Sequence, residues 1–191
     1  MSHPPEDADL YVQDEAQMAL HPTLSRMWMQ RGRGRQRKIA APGTNQKRHL
    51  FGATDWREGQ MVRRYSDHRD SVTFCALADD CVARSKERGR RAILIVDCAK
   101  IHTPEGAKAV RELLERHDSS LELVYLPKYS PDLQPQEWLW RVWRARVTHN
   151  HQRTTLVDLE ADSEACFAEW DANPAAVLRT IGSPFASRQP P

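Results

Sequence analysis

Residues 91–140 read RAILIVDCAKIHTPEGAKAVRELLERHDSSLELVYLPKYSPDLQPQEWLW, and this stretch decides the fold. Its apolar, β-branched run at 92–96 predicts a buried strand that ends at Asp97. Residues 104–117 have helical spacing and a proline in the first turn, and residues 121–126 read as a second strand. A strand, a helix and a strand at this spacing form a βαβ unit, which predicts two parallel strands with a right-handed crossover.

Two acids stand at the ends of these predicted elements, and a third lies near the N-terminus. Asp97 ends the strand, and Glu137 follows a double-proline turn at the point where a helix should begin. Asp14 follows a short apolar stretch at residues 10–13. Three carboxylates held in one cleft repel each other, and hard divalent cations with oxygen ligands supply the counter-charge. The pattern therefore favours a Mg²⁺ site for phosphoryl transfer.

Each of these acids also has a plainer interpretation. Asp97 suits a turn or a helix N-cap, and Glu137 suits a first helical turn, where the helix dipole stabilises negative charge. Asp14 also fits a surface acid beside Glu15. Because side chains alternate between the two faces of a strand, only one of Asp14 and Glu15 can point at Asp97.

The rest of the chain predicts three early strands and several helices around the βαβ unit. Trp140 and Trp143, three positions apart on a predicted helix, are expected in the core rather than in a binding surface. The predicted strands are 10–13, 48–54 and 60–65, and the predicted helices are 71–88, 135–147 and 155–170. We predict one domain at residues 10–172, a disordered tail at 1–9 and a C-terminal tail at 173–191.

Composition excludes several classes of protein. A hydrophobic content of 40% and a charged content of 28% are typical of a globular protein. No apolar run approaches the ~18 residues of a membrane span, and the acidic, proline-rich N-terminus is not a secretory signal. The four cysteines form no CxxC pair, which favours a cytoplasmic protein with free thiols.

The distribution of charge is more informative than the net charge of +2. Residues 26–38 hold six basic residues and no acid, and residues 84–91 form a second basic run. Each run fits a solvated face. Beside an acidic catalytic site, each also fits contact with DNA phosphates, because Lys and Arg release the counterions condensed on DNA.

These residues resemble the catalytic domain of DDE transposases, in particular the bacterial insertion-sequence branch of the mariner-like superfamily. The resemblance spans residues 10–147. Four motifs carry it: Asp14-Glu15 followed by LHP, the segment HLFGATDWREGQ, the pattern Asp97-x-Ala-x-x-His102, and LPKYSPDLQPQE with Trp140. Cys98 and Gln134 stand where the family usually has asparagine.

The resemblance implies a fold, a reaction and a set of metal ligands. The expected fold is a single-domain α/β structure with a ribonuclease H-like mixed sheet flanked by helices. The expected activity is cleavage of DNA at the ends of a mobile element and transfer of the 3′ ends to target DNA. Two Mg²⁺ ions, replaceable by Mn²⁺, are implied. Asp14 would bridge both ions, while Asp97 and Glu137 would each hold one, so Asp14 is favoured over Glu15.

DNA contacts are expected at two places. The first is the Gly- and Arg-rich segment, with Arg31, Arg33, Arg35, Arg37 and Lys38. The second surrounds the acids, where Lys128 and Tyr129 would contact the DNA backbone. His102 is interpreted either as a contact to the scissile phosphate or as a hydrogen-bonding loop histidine, and Asp132 as a turn residue.

Partners and alternatives follow from the same resemblance. The chain begins almost at the first catalytic strand, so a helix-turn-helix region that reads the element ends is expected on a separate subunit or a fused N-terminal region. A homodimer on DNA is a further expected assembly. Two alternatives stay open: a structure-selective nuclease of the same fold, and a degenerate or co-opted domain that binds DNA or partner subunits without catalysis.

Overall fold

A computed structural model of the chain describes residues 5–39, 45–128 and 130–186. The strands are β1, Ala8–Ala19; β2, Lys47–Asp55; β3, Met61–Ser66; β4, Arg91–Val96; and β5, Leu121–Tyr125. They form one sheet in the order β3-β2-β1-β4-β5. The first three strands pair antiparallel, whereas β4 is parallel to both β1 and β5. The α/β prediction of a mixed sheet containing a βαβ unit is therefore confirmed.

In the described part of the chain, five α-helices flank the sheet. They are α1, Ser71–Glu87; α2, Lys108–Arg116; α3, Gln136–Trp143; α4, Leu156–Ala172; and α5, Pro174–Thr180. A 3-10 turn, Pro131–Leu133, precedes α3, and a π-helical turn, Arg144–Thr148, follows it. Within the described ranges, no helix has the length and apolar character needed to cross a membrane.

The second half of the βαβ crossover begins later than predicted. The expected helix 104–117 starts only at Lys108. Gly106 lies so close to the carbonyl of Lys100 that a Cβ there would meet the oxygen at 2.2 Å. Its amide donates to the carbonyl of Thr103, which forms a tight turn ahead of the helix. This turn depends on a packing contact that apolar periodicity does not reveal.

Both predicted tails include residues that belong to a strand or a helix. Ala8 and Asp9 belong to β1 and pair in register with Arg91 and Ala92 of β4, so residues 8–9 are not part of a disordered tail. The predicted C-terminal tail 173–191 contains α5. Val177 and Leu178 of this helix are buried in the same cluster as residues of α3 and α4. Residues 1–4 and 187–191 lie outside the described ranges.

The alternation of β1 divides the core into two layers. Val12, Ala16 and Met18 pack with α3, α4 and α5 on one face. Tyr11 stands at an odd-numbered position, so its side chain leaves the opposite face of β1 and packs with α1 and α2. Trp140 and Trp143 are fully buried in the first layer, which confirms that they are core residues. Asp14 has the same parity as Val12 and Ala16, so it faces the layer that contains α3.

All four cysteines lie in the part of the chain that the structure describes, and all are free thiols. Cys75, Cys81 and Cys166 are buried, and Cys98 is half-buried. The prediction of free thiols is confirmed.

Candidate active site

The central parallel pair brings Asp14 and Asp97 to the same end of the sheet. Val12 of β1 lies opposite Ile95 of β4 in the parallel register. Two residues farther along each strand stand Asp14 and Asp97, so both carboxylates leave the sheet side by side. Because two-residue steps conserve the face of a strand, both point toward the layer that contains α3.

Helix α3 carries Glu137 to the same place, and buried polar contacts fix its start. Thr54 Oγ1 of β2 donates to Gln136 Oε1 at 2.7 Å. Just before the helix, Gln134 Nε2 donates to the carbonyl of Gln13 in β1 at 2.8 Å. Gln134, which stands where asparagine is usual, therefore ties the third acidic motif to the central strand.

A close aromatic contact sets the distance between α3 and the sheet. The indole ring of Trp140 covers Gly52 of β2, where a Cβ would lie 2.6 Å from Trp140 Cη2. Gly52 is also the residue paired with Asp14 across the β1–β2 ladder. The absence of a side chain at position 52 lets the helix approach the strand closely enough for Glu137 to reach the cleft.

Asp14, Asp97 and Glu137 line one open cleft of about 770 Å³. The three acids singled out in the sequence, one within β1, one just after β4 and one in α3, thus line the same cleft. The remaining lining residues include both charged and apolar side chains: Cys98, Ala99, Leu126, Pro127, Lys128, Ser130, Asp132, Gln134, Trp138 and Arg141.

Burial and nearby acids disfavour the ionisation of Asp14. Burial, followed by the negative charge of Glu15 and weaker repulsion from Glu137 and Asp97, raises the pKa of Asp14 to about 7. A carboxylate in this setting is stabilised by any nearby positive charge. The cleft therefore has the electrostatic character of a cation site.

Asp97 has a different environment, because a buried histidine holds it ionised. The hydrogen bond from His102 lowers the pKa of Asp97. His102 Nδ1 lies 2.6 Å from Asp97 Oδ1, and His102 Nε2 lies 2.8 Å from Glu15 Oε1. Burial opposes a charge on His102, but these two carboxylates outweigh it and raise the histidine pKa to about 9.

Glu15 lies on the opposite face of β1 from Asp14, behind the cleft. Burial works against its charge, yet hydrogen bonds from His102, Gln13 and Arg69 outweigh burial and lower the pKa of Glu15. The expectation that only one of Asp14 and Glu15 faces the cleft agrees with the structure. Glu15 nonetheless reaches Asp97 from the other side, through His102.

Glu137 pairs with a cation from the turn that follows α3. Arg144, the first residue of the π-helical turn, donates from Nη2 to Glu137 Oε1. In the described ranges, no group of three or more His, Cys, Asp or Glu side chains is gathered closely enough to hold a metal ion. The carboxylate oxygens of the three acids are of the kind that hard divalent cations prefer as ligands.

The rim of the cleft beside Glu137 is aromatic and basic. Trp138 is half exposed, and the Arg141 guanidinium stacks 4.7 Å from the centre of its ring. Lys128 is exposed and also lines the cleft. Asp132 lies exposed in the 3-10 turn, in agreement with its interpretation as a turn residue.

The two basic runs have different surroundings. Residues 31–38, including Arg31, Arg33, Arg35, Arg37 and Lys38, are exposed in a segment between β1 and β2 that forms neither helix nor strand. The run at 84–91 instead forms ion pairs near the opposite end of β1. Arg88 pairs with Asp9 and Asp55, and Arg90 also pairs with Asp9. This second run therefore stabilises the sheet rather than offering a free DNA surface.

His102 and Tyr129 are two further residues near the acids at which DNA contacts were expected. His102 is 1% exposed, with both ring nitrogens directed at carboxylates, so the interpretation as a phosphate contact is wrong and that of a hydrogen-bonding loop histidine fits. Tyr129 lies outside the described residues.

Cys98 Sγ donates to the carbonyl of Leu126, which links the ends of β4 and β5.

Sequence reasoning missed the partners of the acids. Arg144 and Arg69 act through contacts with Glu137 and Glu15 that join distant positions. For Arg144, the spacing of seven residues from Glu137 is two helical turns and was a usable signal. For Arg69, no local pattern connects residue 69 with residue 15, so only the folded chain reveals the pair.

The strand order, with two parallel and two antiparallel pairings, one acid within β1 and another just after β4, defines a ribonuclease H-like α/β domain. Residues 9–160 match the family described as DDE superfamily endonuclease. The chain therefore belongs to that family, and the predicted resemblance to DDE transposases and the enzyme class are confirmed.

A relative and several solved structures agree with this assignment. An uncharacterised 39 kDa protein of the insertion element IS630 from Shigella sonnei is 27% identical over 150 residues. The match covers 78% of this chain and 42% of the relative. The chain thus spans less than half the length of that relative.

The structural similarity is to the Mos1 mariner transposase. Its paired-end complex with the left transposon end has a TM-score of 0.66 at 18% identity, covering 95% of this chain and 53% of that chain. Its paired-end complex with Mn has a TM-score of 0.67 at 18% identity, with the same coverages. Its complex with Mg has a TM-score of 0.63 at 17% identity, covering 94% and 55%. The ribonuclease H-like fold prediction is confirmed.

Proposed function

We propose that this chain is the catalytic part of an insertion-sequence transposase, which cleaves DNA strands and transfers their 3′ ends to target DNA with the help of divalent metal. The observation that carries the proposal is that Asp14, Asp97 and Glu137 line one cleft. Membership of the DDE superfamily endonuclease family supports phosphoryl transfer as the reaction of this cleft.

The carboxylates suit a pair of hard divalent ions. Asp14, Asp97 and Glu137 would hold these ions through their carboxylate oxygens. When bound, Mg²⁺ or Mn²⁺ would supply the positive charge that activates the attacking oxygen and stabilises the leaving oxygen. Burial and three negative neighbours make Asp14 a group that gains from such a charge.

The basic and aromatic side chains around the acids would position the DNA. Lys128, which lines the cleft, would bind a phosphate. The Arg141–Trp138 stack presents a positive charge and a flat apolar surface, which suits a nucleotide of a distorted strand. The exposed arginines at 31–37 and Lys38 would contact the DNA backbone without reading sequence.

Further partners follow from the family. We propose DNA as the principal partner, in keeping with the DNA complexes of the Mos1 neighbours. Recognition of the element ends by a helix-turn-helix region, on another subunit or fused N-terminally, stays a prediction. The homodimer on DNA and the cytoplasmic location also stay predictions.

One observation favours a second candidate function. Arg144 forms an ion pair with Glu137, and the three acids are not gathered into a metal-binding group. This arrangement fits a co-opted domain that binds DNA or partner subunits without catalysis. The two functions differ in whether metal and the three acids matter for the action on DNA.

Nicking of supercoiled DNA in Mg²⁺ or Mn²⁺ tests the proposal. The wild-type chain should convert supercoiled plasmid to the relaxed form only when metal is present. Asp97→Asn, which removes one ligand charge at nearly constant volume, should reduce nicking to the background rate. Asp132→Asn removes the same charge from the same cleft at a turn position and should retain activity.

Two results would contradict the proposal. Equal nicking by wild type and Asp97→Asn would remove Asp97 from the reaction. Metal-independent DNA binding by the wild type, with no nicking in either metal and with a helix-turn-helix partner added, would support the binding-only function instead.

A further inference from the structure

One imidazole links the carboxylate of Glu15 in β1 with that of Asp97, which follows β4. His102 Nδ1 lies 2.6 Å from Asp97 Oδ1, and Nε2 lies 2.8 Å from Glu15 Oε1. Carboxylate oxygens at neutral pH only accept hydrogen bonds, so His102 donates from both nitrogens. The side chains of His102 and Glu15 are 1% and 3% exposed, whereas that of Asp97 is 44% exposed at the cleft. The chain of contacts thus runs from the interior to the cleft wall.

The inner end of this chain is held rigidly. Glu15 Oε1 accepts from Gln13 Nε2 at 2.7 Å, and Glu15 Oε2 accepts two bonds from the Arg69 guanidinium at 2.8 and 3.0 Å. The His102 ring lies 4.6 Å from the ring of Phe74, measured between centroids. The backbone carbonyl of His102 accepts from the Tyr125 hydroxyl at 2.9 Å. Side chain and backbone of His102 are both fixed.

At the outer end, the bonds fall on one oxygen of Asp97. Oδ1 accepts from His102 and also from the backbone amide of Ala99 at 2.9 Å. Two donors on the same oxygen fix the rotation of the carboxylate group. The other oxygen, Oδ2, is therefore the one that the carboxylate can offer to a ligand in the cleft.

We propose that Glu15 and His102 are positioning residues that orient Asp97 so that its Oδ2 binds the divalent cation of the cleft. The inference rests on the proposed function, since it assumes that Asp97 is a metal ligand. Groups that hydrogen-bond to metal ligands orient them, and their loss typically lowers metal affinity by about 10- to 100-fold. The first acidic motif would thus supply both a ligand, Asp14, and a support for the second ligand.

A purely stabilising role explains this arrangement poorly. Burying charged groups costs desolvation free energy, and apolar residues of similar volume often stabilise a core as well or better. The surroundings of His102 include Phe74 and belong to an apolar layer that a larger apolar side chain could fill. The desolvation cost of burying Glu15 and His102 is better explained by a role in orienting the exposed carboxylate of Asp97.

Two substitutions at position 102 separate the two bonds. Asn carries its amide nitrogen near the position of Nδ1, so His102→Asn can still donate to Asp97. Gln carries its amide nitrogen near the position of Nε2, so His102→Gln can donate to Glu15 but not to Asp97. Mn²⁺ binding to the full chain without DNA, measured by titration calorimetry, reports on the orientation of Asp97 independently of nicking.

The expected order of affinities is specific. Wild type should bind Mn²⁺, Asp97→Asn should lose the cleft site, and His102→Asn should stay close to wild type. His102→Gln should bind about 10- to 100-fold more weakly. As a matched control, His117→Gln keeps the amide near Nε2 of a second His–Asp pair, with Asp79, 2.7 Å apart between α1 and α2. That control should leave Mn²⁺ affinity unchanged even if its melting temperature falls.

The outcomes distinguish this inference from the proposed function. If wild type binds Mn²⁺, Asp97→Asn does not, and His102→Gln binds like wild type, only the positioning role is overturned. Equal weakening by the Asn and Gln variants, in proportion to lost stability, also overturns it. If neither His102 variant folds, Arg69→Gln, which removes the guanidinium bound to Glu15, should still weaken Mn²⁺ binding, and unchanged affinity there overturns the inference. A wild type without any cleft site overturns both proposals.

Discussion

Asp14 and Glu15 are neighbours in sequence with opposite electrostatic environments. Strand alternation sends Asp14 into the cleft, where burial and nearby acids raise its pKa to about 7. It sends Glu15 into the other face, where hydrogen bonds from His102, Gln13 and Arg69 overcome the burial penalty and lower its pKa. One dipeptide therefore supplies a carboxylate whose charge is disfavoured by burial and one whose charge is stabilised by hydrogen bonds.

The residue Arg144 is predicted to compete with metal for Glu137. Arg144→Gln should tighten Mn²⁺ binding, because the carboxylate no longer has to leave a cation. Partly exposed ion pairs contribute up to about 1 kcal/mol, which corresponds to a gain in affinity of up to about fivefold. Titration calorimetry of the metal into the free protein measures the difference.

Arg146→Gln is the matched control for this competition. Arg146 lies in the same π-helical turn and pairs with Glu169 rather than with an acid of the cleft. Its loss should leave Mn²⁺ affinity as it is. Weaker binding by Arg144→Gln would instead make Arg144 a support for Glu137 and refute the competition.

At the scale of the elements, α3 and β2 form the contact that places the third acid. Gly52→Ala should push the Trp140 ring away from the strand, because the added Cβ would lie 2.6 Å from Trp140 Cη2. Overpacking of this kind costs about 1–3 kcal/mol. Chemical denaturation should show that loss, and Mn²⁺ affinity should fall as Glu137 is displaced.

A second substitution identifies the cause. Phenylalanine lacks the outer indole atoms that approach position 52, so Gly52→Ala combined with Trp140→Phe should be more stable than the sum of the single effects predicts. Strict additivity of the two free-energy changes would show that the Gly52–Trp140 contact does not limit the approach of α3.

Helix α4 is attached to β3 by a pH-sensitive pair. Burial opposes the charge of Glu164, but Arg63, with Nη2 at 2.8 Å, and the Tyr65 hydroxyl at 2.7 Å lower its pKa. A lowered folded-state pKa contributes stability above the unfolded value of about 4.3 and loses it as pH falls through the folded value. Glu164→Gln should therefore destabilise the protein at pH 7, and the difference should shrink in acid below about pH 4.

Thermal or urea unfolding at several pH values checks this prediction. Glu169→Gln serves as the control, since it removes an exposed ion pair from the same helix and should change stability little. A destabilisation by Glu164→Gln that persists undiminished in acid would assign its effect to packing rather than to charge.

For the whole molecule, the sequence predicts what depends on local pattern and on the recognised motifs. The βαβ unit, the five strands and the three acids follow from runs such as 92–96 and from the spacing of the motifs. The fate of the basic run at 84–91 does not, because Asp9 and Asp55 meet Arg88 only in the folded sheet. For the same reason, α5 and the Glu15–His102 contact were not predicted, since each depends on partners far away in sequence.

The difference between the two basic runs gives a prediction about DNA. Replacing Arg31, Arg33, Arg35 and Arg37 with alanine should weaken the binding of DNA to the same extent whatever its sequence. Each lost phosphate contact should reduce the slope of log affinity against log salt by about 0.9, so the four together should flatten it by up to roughly 3–4 units. Fluorescence anisotropy with labelled duplexes at several salt concentrations measures this slope.

A charge-matched control separates backbone contact from net charge. Alanine at Lys108, Arg111, Arg116 and Arg179 removes four exposed positive charges from α2 and α5. This control should change the slope much less. An unchanged slope in the segment variant, with its fold intact by circular dichroism, would mean that residues 31–38 form a solvated face.

The central claim is that Asp14, Asp97 and Glu137 together form one metal site. Crystals of the protein grown with Mn²⁺ and measured at a wavelength where manganese scatters anomalously test it most directly. The account predicts anomalous peaks in the cleft within about 2.0–2.6 Å of carboxylate oxygens from all three acids, with Arg144 released from Glu137. Peaks held elsewhere, or a cleft without manganese while Glu137 stays paired with Arg144, would contradict it.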